Sequence, residues 1–290
     1  MNSNNHVLNI KRGYLKEDFI FFHLKDKKQI EFEFHYHDFN KIVIFISGKV
    51  TYLIEGKAYE LKPWDILFVS SNEVHKPLID PEETYERIVI WINSKFLEKH
   101  NAEDNNLMTC FELASSQKCS LLRLSPELLI SIKNTMTQLE AAYKDNEFGN
   151  YVLKNALFLQ VMVYLNRLAL KSENNTRNSD IKYDENIDNI LNYINTNLNS
   201  DLSLDKLSDK FFMSKYYLMH KFKKYTGYTI YNYIMQKRII MANNLIKGGK
   251  PITEACFECG FGDYSSFLKA FKKIFGISPK QYYKALKELE

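Results

Sequence analysis

His35 and His37 stand two residues apart, so in an extended segment both side chains leave the same face, and His75 follows later where a turn could bring it beside them. Imidazoles gathered this way can hold a late first-row metal or hydrogen-bond a small polar ligand. Each histidine taken singly also reads as a surface residue or a hydrogen-bonded core residue. Cys256-x-x-Cys259 has the spacing of a zinc or redox pair. No second Cys or His pair stands at zinc spacing near it, and Cys110 and Cys119 lie far away in sequence. A helix would carry both thiols beside Ala255, so they read as small core residues. The third group is basic: Lys221, Lys223 and Lys224 in one short segment and Lys272 and Lys273 in another suit contacts to phosphate. One lysine alone would be a solvated surface charge; matched places in two segments favour phosphate.

These groups need elements to hold them. The chain has 290 residues, 45% of them hydrophobic and 14% aromatic, enough for about two independent cores and incompatible with a collagen, a coiled-coil rod or a fully disordered chain. The formal charge of +4 is uninformative as a total, but residues 183–290 hold 16 Lys and Arg against 11 Asp and Glu, whereas residues 1–182 hold 23 against 24. The basic excess sits in the C-terminal part. The N-terminal stretch MNSNNHVLNIKRG lacks the basic start and apolar run of a secretory signal, and the apolar stretch Ala156 to Leu170 is broken by Gln160, Asn166 and Arg167. With four sparse cysteines, a soluble cytoplasmic protein without a membrane partner is expected.

The first hundred residues carry strand signals. Ile42 to Ile46 ends at Ser47-Gly48, and Val50 to Ile54 runs on to a Glu55-Gly56 turn. Ile66 to Val69 and Arg87 to Ile92 add strands, with turns at Pro63-Trp64-Asp65 and Pro81-Glu82-Glu83. The pattern predicts a small barrel or jelly roll. From Ser125 the period becomes helical: Ser125 caps, Pro126 opens, and Leu128, Ile132, Met136 and Leu139 recur at helical steps. A second segment places Leu153, Leu157, Val161, Tyr164 and Leu168 on one face, with Phe158, Met162 and Leu165 beside them. That helix needs cover from the barrel or from a second subunit, which makes a homodimer an expectation. Residues 171–182, with one apolar residue, read as a linker. The expected fold class is therefore α+β and multidomain. A β-barrel over 1–124 is followed by a helical pair over 125–170, a linker over 171–182 and an all-α domain with two helix-turn-helix units over 183–290.

Those units form an internal repeat. Leu204 to Phe211, a break at Phe212-Met213, and Ser214 capping a helix from Lys215 to Tyr225 that stops at Gly227 make the first copy. Ile252 to Cys259, a break at Gly260-Phe261-Gly262, and Asp263 capping a helix from Tyr264 to Phe275 that stops at Gly276 make the second. Thr229 to Lys247 joins them as one long helix, a strut that could set two recognition helices in successive major grooves about 34 Å apart. The run Lys237-Arg238-Ile239-Ile240-Met241-Ala242, with Pro251-Ile252-Thr253-Glu254-Ala255, Cys259-Gly260-Phe261, Phe267, Phe271-Lys272-Lys273, Phe275-Gly276-Ile277-Ser278-Pro279 and Tyr282-Tyr283, resembles the DNA-binding domain of the AraC/XylS family of transcription regulators. With Tyr217, Leu218 and Phe222 directed inward, Lys215, Tyr216, Met219 and His220 are left for DNA in the first recognition helix. Phe267 and Phe271 likewise leave Tyr264, Ser265, Leu268 and Lys269 in the second. The resemblance implies base contacts at Tyr216, Met219, His220, Tyr264, Ser265, Leu268 and Lys269, and Lys215, Lys221, Lys223, Lys224, Lys272 and Lys273 suit phosphates.

The N-terminal part resembles the cupin-like barrel that many of these regulators carry as an effector domain. In metal-binding cupins a glutamate joins the histidines; here Lys41 stands in its place, and Trp64 stands where a glycine is usual before Asp65. No catalytic residue, metal or cofactor is expected, and His35, His37, Lys41, Trp64 and His75 are candidate contacts to a small polar effector such as a sugar. The resemblance implies a promoter-binding regulator, more often an activator, that partners RNA polymerase. The competing readings are a metal-dependent cupin enzyme fused to a DNA-binding domain, a regulator whose barrel only dimerises, and an RNA-binding protein. The last lacks the aromatic sheet platform expected of it.

Overall fold

The computed structural model describes residues 15, 17–27, 34–172 and 181–287, arranged as two compact units, one within residues 15–54 and 58–182 and the other within 55–57 and 183–287. The stretch MNSNNHVLNIKRG and residues 173–180 of the expected linker lie outside the described residues.

The first unit consists of two antiparallel sheets face to face. One has the order β1 (Phe19–Asp26), β7 (Tyr85–Ile92), β2 (Asn40–Ser47), β5 (Ile66–Val69), β8 (Leu121–Leu122). The other has the order β6 (His75–Ile79), β3 (Val50–Ile54), β4 (Lys57–Glu60), β9 (Ile181–Lys182). Alternation sorts β2 and β7 cleanly. Ile42, Ile44, Ile88, Ile90 and Ile92 join the core beneath the helices, whereas Val43, Phe45 and Tyr85 join the cluster between the sheets, with Val50, Tyr52, Ile54 and Tyr59. Both faces are covered, which is why these strands read as continuous apolar runs. Lys41 has the parity of Val43 and pairs in register with Trp91, so it enters the inter-sheet space at the end of β2.

The helices α1 (Ser94–Glu98), α2 (Thr109–Ser116), α3 (Pro126–Lys144) and α4 (Asn150–Ser172) cover the first sheet. Ser125 caps α3 through the Leu128 N–H. The fully buried line of α4 is Phe158, Val161, Met162 and Leu165, while Leu153, expected on that face, is exposed. The barrel and α3 supply most of the cover the helix needed.

The expected linker is regular at both described ends. Lys171 and Ser172 finish α4, and Ile181 and Lys182 pair with Tyr59 and Ala58. Ile181 is the segment's single apolar residue, and packing against the inter-sheet cluster draws it into a strand. No helix among the described residues is long and apolar enough to cross a membrane.

The second unit is helical: α5 (Glu185–Thr196), α6 (Leu204–Phe211), α7 (Lys215–Thr226), α8 (Ile230–Lys247), α9 (Ile252–Glu258), α10 (Tyr264–Phe275) and α11 (Pro279–Lys287). Side chains of Asp184, Ser203, Ser214, Thr229 and Asp263 accept N–H bonds at the starts of α5, α6, α7, α8 and α10, each satisfying an otherwise unpaired donor. Gly227 and Gly276 stop the two recognition helices. The turns of the two copies differ. Gly260 fills the left-handed position in the second, and Phe212, with φ +53 and a ring 96% exposed, fills it in the first. A left-handed non-glycine residue costs about 1–2 kcal/mol, and an exposed ring offsets little of that. Phe212→Gly should therefore stabilise the domain by about 1 kcal/mol, read as a higher urea midpoint; a lower midpoint would show that the ring packs.

Candidate nucleic-acid interface and barrel site

In α7 the inward side chains are Leu218 and Phe222, both fully buried. Tyr217, expected beside them, is 51% exposed and turns outward, with Lys221 over its ring. Two inward residues already fill the space against α6 and α8, so the tyrosine joins the exposed face. Lys215, Tyr216, Met219 and His220 are exposed there as well. The His220 Nδ1–H donates to the Tyr216 carbonyl at 2.8 Å, which leaves Nε2 as an outward acceptor in the neutral ring. Two phosphate candidates are already engaged. Lys221 pairs with Asp184 at 3.0 Å with only 12% of its side chain exposed, because the α5 cap lies against this face of α7, and Lys215 pairs with Asp205. Lys223 and Lys224 remain exposed.

In α10, Phe267, Phe271 and Phe275 are buried, and Ser265, Lys269, Lys272 and Lys273 are exposed, with Tyr264 and Leu268 half-buried. The two copies thus present the same kind of face: an aromatic or polar N-terminal turn and a lysine pair in the last turn. Cys256 and Cys259 are fully buried in the core of this unit; burial pushes the Cys259 thiol up to about 12, which makes it inert at neutral pH.

In the barrel, four of the five effector candidates converge. His35 and His75 exchange backbone bonds at 3.0 and 3.3 Å. The ring nitrogens of His35, His37 and His75 come within 4.8 Å of one another. The loop before β6 is stitched in place, since the Asn72 N–H donates to the His37 carbonyl at 2.7 Å and the Ser71 N–H to buried Asn40 at 2.8 Å. His75 is fully buried and its Nδ1–H donates to the Glu73 carbonyl at 2.9 Å, so Nε2 is an acceptor, and Lys41 Nζ fills it at 2.8 Å. Desolvation, then the Lys41 charge, holds the His75 and His37 imidazoles neutral, well below their ordinary range. Desolvation, then Arg87, lowers Lys41 to about 7.

Three imidazoles are a plausible donor set for a divalent cation, but the lone pair that such an ion needs on His75 is taken by an ammonium. The residues do not fit a resident metal.

Trp64 is not in this cluster. It has φ +70, its N–H donates to the Phe45 carbonyl at 2.6 Å, and its ring packs into the core on the helix side beneath Lys133. The left-handed turn carries the side chain to the outer face of the sheet. Asp65 next to it accepts from the Lys62 N–H and pairs with Arg123 through both carboxylate oxygens at 3.1 and 3.3 Å, fixing the turn. The tryptophan beside the histidines is Trp91, 6.1 Å from His37 and packed on Phe22 and Phe39 at 4.7 and 5.0 Å. Arg87, buried beneath Tyr85 and paired with Asp26 at 2.6 Å, also shares the inner face. Arg87 and Trp91 have the parity of Tyr85 on β7, and the register with β2 turns that parity to the inner face.

Comparison with known proteins agrees with this geometry. Residues 20–160 match the model of an AraC-like ligand binding domain and residues 207–285 that of a helix-turn-helix domain. The chain is similar to the HTH-type transcriptional activator RhaS of Enterobacter sp. (strain 638), 25% identical over 260 residues that cover 87% of this chain and 88% of that protein. It is also 23% identical over 253 residues to the activator of the same name from Escherichia coli (strain SMS-3-5 / SECEC), covering 87% of each. An AraC-like ligand-binding domain followed by two helix-turn-helix units places the chain in the AraC family of DNA-binding transcription regulators.

Proposed function

We propose that this regulator reads a promoter through the exposed faces of α7 and α10 and that a small polar effector in the barrel alters how it sits there. The observation that carries the reading is the duplicated, capped recognition helix on the single strut α8. Tyr216, Met219, His220, Tyr264, Ser265, Leu268 and Lys269 are the base-contact set, with Lys223, Lys224, Lys272 and Lys273 on phosphates. His220→Ala and Lys269→Ala each weaken specific binding by about 1–3 kcal/mol. Unchanged affinity and footprint in both would sink the assignment.

The similarity to activators named RhaS supports activation; an RNA polymerase partner, a cytoplasmic location and action through binding without catalysis complete the reading. Phe148, Tyr151, Val152 and Leu153 form an exposed apolar patch at the start of α4 that supports homodimerisation. A monomeric mass by light scattering at micromolar concentration would overturn that point. Residues 1–124 sense, 125–170 dimerise and 183–290 bind DNA. Genome-wide mapping of bound sites tests the whole reading: clustering upstream of a few operons is expected, and scatter unrelated to promoters would remove it.

A further inference from the structure

Among the described residues, the inter-sheet end of β2 brings Lys41, Arg87, His37 and His75 together, and Asp26 on Arg87 is the acid paired with them. Lys41 is 6% exposed, and its ammonium makes one hydrogen bond, to the neutral His75 imidazole. Its two other N–H donors have no partner among the described residues; the nearest further group is the face of Tyr52, its centroid 5.8 Å away. The charge that acts on Lys41 most strongly is another cation, Arg87. Asp26, which pairs with Arg87 at 2.6 Å, is already engaged there. The groups acting on His37 and His75 are likewise Lys41 and other histidines. A buried ammonium without a counter-ion is unfavourable: it gives up its proton, as Lys41 does above about pH 7, or an anion beside it offsets the charge.

The surroundings say what shape the supplier has. His37, whose ring makes no hydrogen bond among the described residues, stacks on Phe39 at 4.5 Å, and Trp91 lies beyond. His35, His37 and Trp91 are partly exposed, whereas Lys41 and His75 are buried. The cluster therefore runs from a cationic floor to an aromatic rim that reaches solvent.

We propose that the effector is a small carboxylic acid with a ring, its carboxylate on Lys41 Nζ and the His37 imidazole and its ring against Trp91. The proposal rests on the reading of the barrel as an effector domain and narrows it. A neutral sugar offers only hydroxyls to an ammonium that lacks a counter-ion, whereas a carboxylate makes charge-assisted bonds about twice as strong and cancels the charge. A divalent cation would add positive charge to a site already in excess.

The test uses the full-length protein and its Lys41→Met variant. Melting temperature and tryptophan fluorescence are followed with glucuronate and galacturonate, with glucose and galactose as neutral counterparts, and with inorganic phosphate. The uronates should raise the melting temperature and change Trp91 emission, the neutral sugars should not, and Lys41→Met should bind the uronates at least 10-fold more weakly while melting no lower than wild type. Binding of neutral sugars with no advantage for the acids overturns the acid class and leaves the effector reading standing. Phosphate matching the uronates shows a general anion site and overturns the carboxylate. An equal response in Lys41→Met removes this location. Silence toward the uronates in wild type overturns the acid and leaves the effector reading, which rests on the match to an AraC-like ligand binding domain, standing.

Discussion

Lys41→Met should make the sensing unit more stable at pH 7, not less. The folded barrel holds the ammonium at about 7 against an ordinary 10.5, and that difference corresponds to about 4–5 kcal/mol of unfavourable burial below pH 7. Removing the charge recovers it, less about 1–3 kcal/mol for leaving the buried His75 Nε2 without its donor. A net gain of about 1–4 kcal/mol is expected. The pH dependence has a definite sign. Between about pH 7 and 10.5 the unfolded chain keeps a proton on Lys41 that the folded barrel has released. Stability contributed by this site therefore rises with pH through that window, and the penalty is fully present below it. The variant should show no such rise. Other groups titrate at the edges: His37 and His75 below 6.5, and Tyr85, raised to about 12, where unfolded tyrosines ionise near 10. The difference between wild type and variant cancels them. Both tryptophans, Trp64 and Trp91, lie in this unit, so urea unfolding followed by fluorescence from pH 6.5 to 9.5 reads it selectively. A variant less stable than wild type at pH 7, or with the same slope, would mean that the ammonium is adequately solvated where it sits. A residue that lowers stability while facing a binding cluster is the pattern expected where function opposes packing.

How much of this cluster could be read in advance depends on which physical signal carried each residue. His35 and His37 share a face because two-residue spacing in an extended chain demands it, and Lys41 announced itself as a charge ahead of an apolar run. His75 needed the β6 pairing to arrive. Trp64 misled because residue type was visible and backbone sign was not: a φ of +70 sends its ring to the helix side. Trp91 and Arg87 were hidden inside a strand read only as apolar, although their parity already separated them from Ile88 and Ile90. Alternation along a strand buried on both faces needs a reference residue, and the sequence has none until the register with β2 is known.

The helical unit was more legible because its signals are local. Caps, stop glycines and buried aromatics lie within a few residues of one another, and the two copies check each other. What it withheld was tertiary: Lys221 looked like a free basic residue until Asp184 arrived from another helix, and Tyr217 looked inward because α7 has one more apolar-looking residue than its neighbours can cover. Of the lysines counted for phosphate, Lys215 and Lys221 pair with carboxylates of their own unit, which no count of basic residues along the chain could show.

The turn of the second copy carries the largest effect expected in that unit. Gly260→Ala should destabilise it by about 2–5 kcal/mol and abolish specific DNA binding. Gly260 has φ +84, which costs an L-residue about 1–2 kcal/mol. An added Cβ would also lie 2.3 Å from the Leu198 carbonyl oxygen and 2.9 Å from Arg238 Nη2. Neither neighbour is a loose side-chain end. Arg238 on α8 clasps the loop after α5, donating to the Leu198 and Ser200 carbonyls at 2.9 and 2.8 Å, so strut, loop and turn meet at this glycine. Overpacking such a junction adds about 1–3 kcal/mol and shifts α10 relative to α8, where a small rotation moves Ser265 and Lys269, two of the proposed base contacts. Two other glycines separate the contributions. Gly276 has φ +77 with open space around it, so Gly276→Ala should cost only the conformational part, while Gly262 has open space and no left-handed φ, so Gly262→Ala should be close to neutral. The order Gly260, Gly276, Gly262 in lost urea midpoint, with promoter affinity lost only at the first, is the expected result. Equal losses at Gly260 and Gly276 would show that the clasp yields and that backbone conformation alone accounts for the effect.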